Sequence, residues 1–134
     1  MGKGLGRSLI AYLDTQVALW LAHGRLRQLT KEALRVVKTA ELLISPMAVL
    51  ELEYLYDLGR TKLRSRETIR KLQSELGVRA CSLSFERVAD TALDEGWTTD
   101  PFDRLIVANA KANSYAILVS ADDTIAQHYS KTVW

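Results

Sequence analysis

The chain has 134 residues, 48% hydrophobic and 25% charged, the composition of a single folded domain with one core rather than of a disordered or membrane-spanning protein. Its net charge of +2, from 18 basic and 16 acidic residues, is too small to assign a nucleic-acid partner by itself. The single cysteine, Cys81, excludes an internal disulfide, and with only His23 and His128 beside it soft ligands are too few for a Cys/His zinc site, so any metal should be hard and oxygen-bound.

Residues 1–7, "MGKGLGR", form a Gly-rich N-terminal extension to a domain expected over 8–134. The apolar run Leu9 to Leu13 is shorter than the roughly 7–15 residues of a signal-peptide core, position 6 is Gly where a myristoylation signal needs Ser or Thr, and no apolar run approaches the roughly 20 residues of a membrane span. A cytoplasmic protein without a membrane partner is expected. Short β-like runs follow at 8–13, 42–45, 78–83 and 116–120, with a fifth at "KTVW". Helical patterns lie between them at 15–22, 31–40, 46–58, 66–76, 85–96 and 101–113. This alternation predicts an α/β fold with a central, mostly parallel sheet of four to five strands flanked by helices. Functional groups of such sheets collect beyond the carboxyl ends of the strands.

Acids occupy that location. Asp14 follows the first strand, and Asp122 and Asp123 follow the fourth; each also suits a turn or a helix cap. In the helix opened by Ser45 and Pro46, Glu51 shares an apolar face with Met47, Leu55 and Leu58, whereas Glu53 and Asp57 lie together on another face as solvent-facing charge. In "TTDPFDRL", Asp100 is placed as the N-cap with Pro101 at the first helical position. Asp103 lies instead along the face of Ile106, Val107 and Ala110, where the benefit of a first-turn acid does not require it to point. Asp14, Glu51, Asp103 and Asp122 thus have reason to converge. Like charges about 4–5 Å apart repel by roughly 3–4 kcal/mol at an effective dielectric near 20, so either some protonate or a cation binds. With all-oxygen ligands, Mg²⁺ or Mn²⁺ is the expected ion.

The segments "YLDTQVALWL", "ISPMAVLELEYLYDLGRTKL", "DPFDRLIVANA" and "ILVSADD" resemble, in order, the motifs of PIN-domain ribonucleases, and within them of VapC-like toxins of type II toxin-antitoxin pairs. The similarity runs from about residue 9 to 134, and "DPFDRLIVA" is its most specific piece. Leu50 stands where many relatives carry Trp. The resemblance implies a metal-dependent endoribonuclease leaving 5′-phosphate and 3′-hydroxyl ends. Asp14, Glu51, Asp103 and Asp122 match the acidic quartet, with Asp14 and Asp103 as principal Mg²⁺ or Mn²⁺ ligands and Glu51 and Asp122 completing the shell or orienting the attacking water. Thr15 and Ser120 match supporting hydroxyls, and Asp100 an outer-shell acid. The resemblance further implies an RNA substrate, a homodimer and a cognate antitoxin covering the site. The basic run 60–71 offers Arg60, Lys62, Arg64 and Arg66 to an RNA backbone, against the alternative of a solvated helix face.

Rival readings fit the residues poorly. A response-regulator receiver needs a phosphorylatable aspartate after the third strand, where Ser82, Leu83 and Ser84 stand. A haloacid-dehalogenase-like phosphatase needs Asp-x-Asp, where residues 14–16 read Asp-Thr-Gln. The remaining alternative is a non-catalytic RNA- or protein-binding PIN-like domain, which the intact quartet argues against.

Overall fold

The computed structural model describes residues 9–134. The expected extension at 1–7 lies outside the described residues, as does Ser8. Five strands, β1 (Ile10–Leu13), β2 (Glu41–Ile44), β3 (Arg79–Ala80), β4 (Ile117–Val119) and β5 (Thr132–Val133), form one sheet in the order β3-β2-β1-β4-β5. Every pairing in it is parallel. The described residues also form seven α-helices: α1 (Thr15–Ala22), α2 (Lys31–Thr39), α3 (Pro46–Asp57), α4 (Ser65–Leu76), α5 (Phe85–Ala92), α6 (Pro101–Ala112) and α7 (Asp123–His128), with a 3₁₀ turn at Leu26–Gln28.

The strands read as short apolar runs rather than alternating ones because helices cover both faces of a parallel sheet. Ala11, Tyr12, Leu13, Ile44, Leu118 and Val119 are fully buried in the middle of the core. Helix α1 is buried nearly all round, through Val17, Ala18, Leu21 and Ala22. Helix α3 starts as its sequence demands, with Ser45 Oγ accepting from Met47 N at 3.1 Å and Pro46 at the first position. Helix α4 stops at Gly77, whose φ of 70° is a left-handed cap that a side chain would strain.

Three expectations are corrected. The stripe of α3 is not wholly inward: Ala48 and Leu52 are buried and Leu55 packs against the core, but Leu58 is 48% exposed, with Leu50 and Tyr54 exposed beside it. Glu53 remains partly exposed, at 27%, but is not free charge. Its Oε1 accepts from Ser65 N at 3.0 Å and its Oε2 pairs with Arg64, because the connection after α3 folds back over that face. The helix expected over 85–96 ends at Ala92, since the chain turns at Leu93 to bring Glu95 inside. Helix α7 is an addition to the expected elements, six residues being too few to show a helical period.

Connections from β1 lead toward β2 on one side, while β4 and β5 lie on the other, so the switch in strand order falls between β1 and β4. A crevice outside the carboxyl ends of the strands is expected there. The backbone is closed at that point by Asp14 N donating to Val119 O at 3.0 Å.

Candidate acidic metal centre

Asp14 emerges directly from β1 and is only 9% exposed. Its Oδ1 accepts from Thr15 N at 2.8 Å and caps α1, and its Oδ2 accepts the Ser120 hydroxyl at 2.6 Å. Ser120, at the end of β4, in turn accepts from Asp122 N at 3.1 Å. On the other side of the crevice the Thr15 hydroxyl donates to Glu51 Oε1 at 2.5 Å, fixing the α3 carboxylate toward α1. The two hydroxyl residues thus hold one acid each.

Asp100 is the N-cap of α6, its Oδ1 accepting from Phe102 N at 2.8 Å and Asp103 N at 3.3 Å. Asp122 caps α7 in the same manner, through Thr124 N at 2.8 Å and Ile125 N at 3.2 Å. Both are caps, yet both also face the other acids. Asp103 stands one turn before the fully buried Ile106 and Val107. Burial, followed by the charges of Asp100, Asp14, Asp122 and Glu51, pushes its carboxyl up from 3.8 to about 7. Asp14 is raised by burial and by Asp122 and Asp100, against the hydrogen bonds from Ser120 and Thr15. Glu51 is raised by burial and by Asp14 and Asp100, against the Thr15 hydroxyl. Desolvation and mutual repulsion therefore act in the same direction on the three.

Asp14, Glu51, Asp100, Asp103 and Asp122 thus lie within one another's field. The donor set fits a hard divalent cation: it is all oxygen, partly desolvated and repulsive when empty of positive charge. No three acids among the described residues stand close enough to hold a metal ion together. The centre is an open cup, suited to an ion that keeps several of its waters and takes only one or two carboxylates directly.

The four basic residues expected to meet RNA do not stay together. Arg60 and Lys62 line a cleft of about 420 Å³ that reaches Gln16 on the first turn of α1. Arg64 is engaged by Glu53 and lies over the Tyr56 ring at 5.1 Å from its centroid. Arg66 is exposed on α4. The sequence reading misses the support beneath Asp100: Glu95, 1% exposed, accepts from Lys111 Nζ at 2.7 Å and from Trp97 Nε1 at 2.8 Å, and Trp97 stacks on His128 of α7 at 4.7 Å. No local spacing links Glu95 to Lys111, and in the acidic run from Asp90 to Asp103 nothing sets Glu95 apart from its neighbours.

A parallel sheet that collects carboxylates from four segments at its switch point defines an α/β protein built around an acidic, cation-accepting centre. The chain belongs to the PIN-domain family, whose model matches residues 11–131. Among solved structures it is similar to VapBC2 from Rickettsia felis, bound there to a DNA fragment from its promoter, with 17% identity, a TM-score of 0.57, and 93% of this chain and 96% of that one covered. It is likewise similar to VapBC-1 from nontypeable Haemophilus influenzae, with 20% identity, a TM-score of 0.53, and 94% and 96% covered. At these identities the likeness is one of fold. No curated protein sequence matches the chain.

Proposed function

We propose that the protein is an endoribonuclease dependent on Mg²⁺ or Mn²⁺ and the toxin of a toxin-antitoxin pair. One observation carries the reading: five carboxylates of a PIN domain face one another with three of them driven toward protonation, a state that a bound cation would relieve. Asp14 and Asp103 would be its principal ligands, with Glu51 and Asp122 completing the shell and Asp100 adding outer charge. Held there, a cation would supply Lewis-acid chemistry, lowering the pKa of a water and offsetting charge on the phosphate. Thr15 orients Glu51, and Ser120 orients Asp14 while receiving the backbone of Asp122, so the acids are positioned before substrate arrives. Arg60 and Lys62, which line the cleft, would hold the RNA backbone, and Arg64, paired with Glu53, would be less available.

The toxin assignment draws on the VapBC complexes that share the fold. An antitoxin partner, a homodimer and a cytoplasmic setting go with it. The exposed Leu50, Tyr54 and Leu58 at helical spacing on α3 supply an apolar face for such contacts. No described helix is long and apolar enough to cross a membrane.

The test is cleavage of a mixed RNA pool with Mg²⁺, Mn²⁺ or EDTA. Wild type should cut only with metal, and Asp14→Asn and Asp103→Asn should be slower by about 100-fold or more, the scale of losing one strong electrostatic contribution. Equal cleavage by a folded Asp103→Asn sinks the metal role. RNA binding without cleavage in any metal would favour the non-catalytic reading.

A further inference from the structure

Beside the acidic cup runs a cleft of opposite character. Gln16, Leu19, Trp20 and His23 recur on one face of α1 and form its floor. The opposite wall is the turn from Gly59 to Lys62, and Arg25 closes the end. Arg25, Arg60 and Lys62 are exposed, form no ion pair among the described residues, and no acid lines the cleft. Trp20 is half-buried and backed by Trp134, ring centroids 5.7 Å apart, which fixes the indole as a rigid platform. Gln16 is two residues after Asp14, so the cleft begins on the first turn of the helix that Asp14 caps.

Free cations, a braced aromatic face and an amide at one end are the parts of a nucleotide site: charge for phosphate, a flat ring for a base, and donor and acceptor atoms for its edge. We propose that this cleft is a base-selective subsite for the nucleotide flanking the scissile phosphate of single-stranded RNA. Trp20 stacks the base, Gln16 contacts its edge, and Arg25, Arg60 and Lys62 hold the adjoining phosphate. The inference rests on the ribonuclease reading for its place beside a scissile bond, but binding can be measured without cleavage. An acidic peptide would satisfy the cations while leaving Trp20 and Gln16 unused, which favours RNA.

The experiment measures anisotropy of labelled 12-nucleotide single-stranded RNAs, one per base type, on full-length Asp103→Asn protein in EDTA across a salt series. Arg60→Ala/Lys62→Ala should weaken binding at least tenfold and lower the salt slope by about 0.7 for each phosphate no longer neutralised. Trp20→Ala should weaken binding about tenfold or more, with Trp20→Phe restoring most of it. Gln16→Ala, at an exposed position, should flatten the preference among the four RNAs. Parent-like affinity and preference in the Gln16 and Arg60/Lys62 variants would overturn the subsite, as would a polyglutamate peptide competing as well as RNA. Binding that follows these predictions while intact protein cuts nothing in any metal would keep the subsite and remove the nuclease reading.

Discussion

Asp103 joins the most influences at a single side chain. It retains its proton up to about 7 in the metal-free fold, whereas an aspartate with its ordinary value of 3.8 loses it in the unfolded chain. Stability from this residue is therefore complete below about pH 4 and declines as pH rises through 7. Asp103→Asn removes that decline. Between pH 5 and pH 8, EDTA-treated variant should lose on the order of 1 kcal/mol less stability than wild type in urea unfolding, the figure reduced because the side chain is only half-buried. An identical pH slope in the two proteins would mean that Asp103 is not the strained acid. At the same scale, Thr15 and Ser120 illustrate what a motif leaves open: the residue types were legible, but which acid each hydroxyl would hold depended on two segments meeting.

At the scale of elements, α6 carries two aspartates with different duties. Asp100 stabilises the helix end through two backbone N–H groups and at the same time adds charge to the cup. Asp100→Asn keeps a capping side chain and removes the charge, whereas Asp100→Ala removes both. The alanine variant should therefore be less stable than the asparagine variant by about 1 kcal/mol, and Asp103 should release its proton at lower pH in both. Denaturant titration and a pH series on the two variants check this, and equal stabilities would rule out the cap. The start of α6 was readable because proline and an N-cap are local signals. The start of helix α4 at Arg64 has no such local signal, because its first N–H is satisfied from another element, by Glu53 of α3. Glu53→Gln should lower the melting temperature while leaving metal-dependent cleavage intact.

Across the whole molecule, the buried Glu95 ties the chain ahead of Asp100 to the far end of α6, and Trp97 extends that tie to α7, the helix capped by Asp122. Lys111→Met leaves a carboxylate buried without its cation, a change that costs about 3–5 kcal/mol at neutral pH. Chemical denaturation should show that loss, and the double change Glu95→Gln/Lys111→Met should recover much of it; a neutral single variant would mean that the pair is not buried in solution. Alternation of short apolar runs with helical periods determined the α/β class, because burial of a parallel sheet on both faces writes itself into the order of residues. Proline, serine and aspartate at helix starts determined where α3 and α6 begin, and apolar spacing singled out Glu51 and Asp103 as acids in the wrong place. The tertiary structure alone decided that Asp100 and Asp122 are caps and neighbours of the cup at once, that Glu53 braces α4, that Arg64 is taken while Arg60 and Lys62 form no ion pair among the described residues, and that Trp20 shares a cleft with them. Those outcomes depend on contacts between segments tens of residues apart, and such contacts leave no periodic trace in the segments themselves.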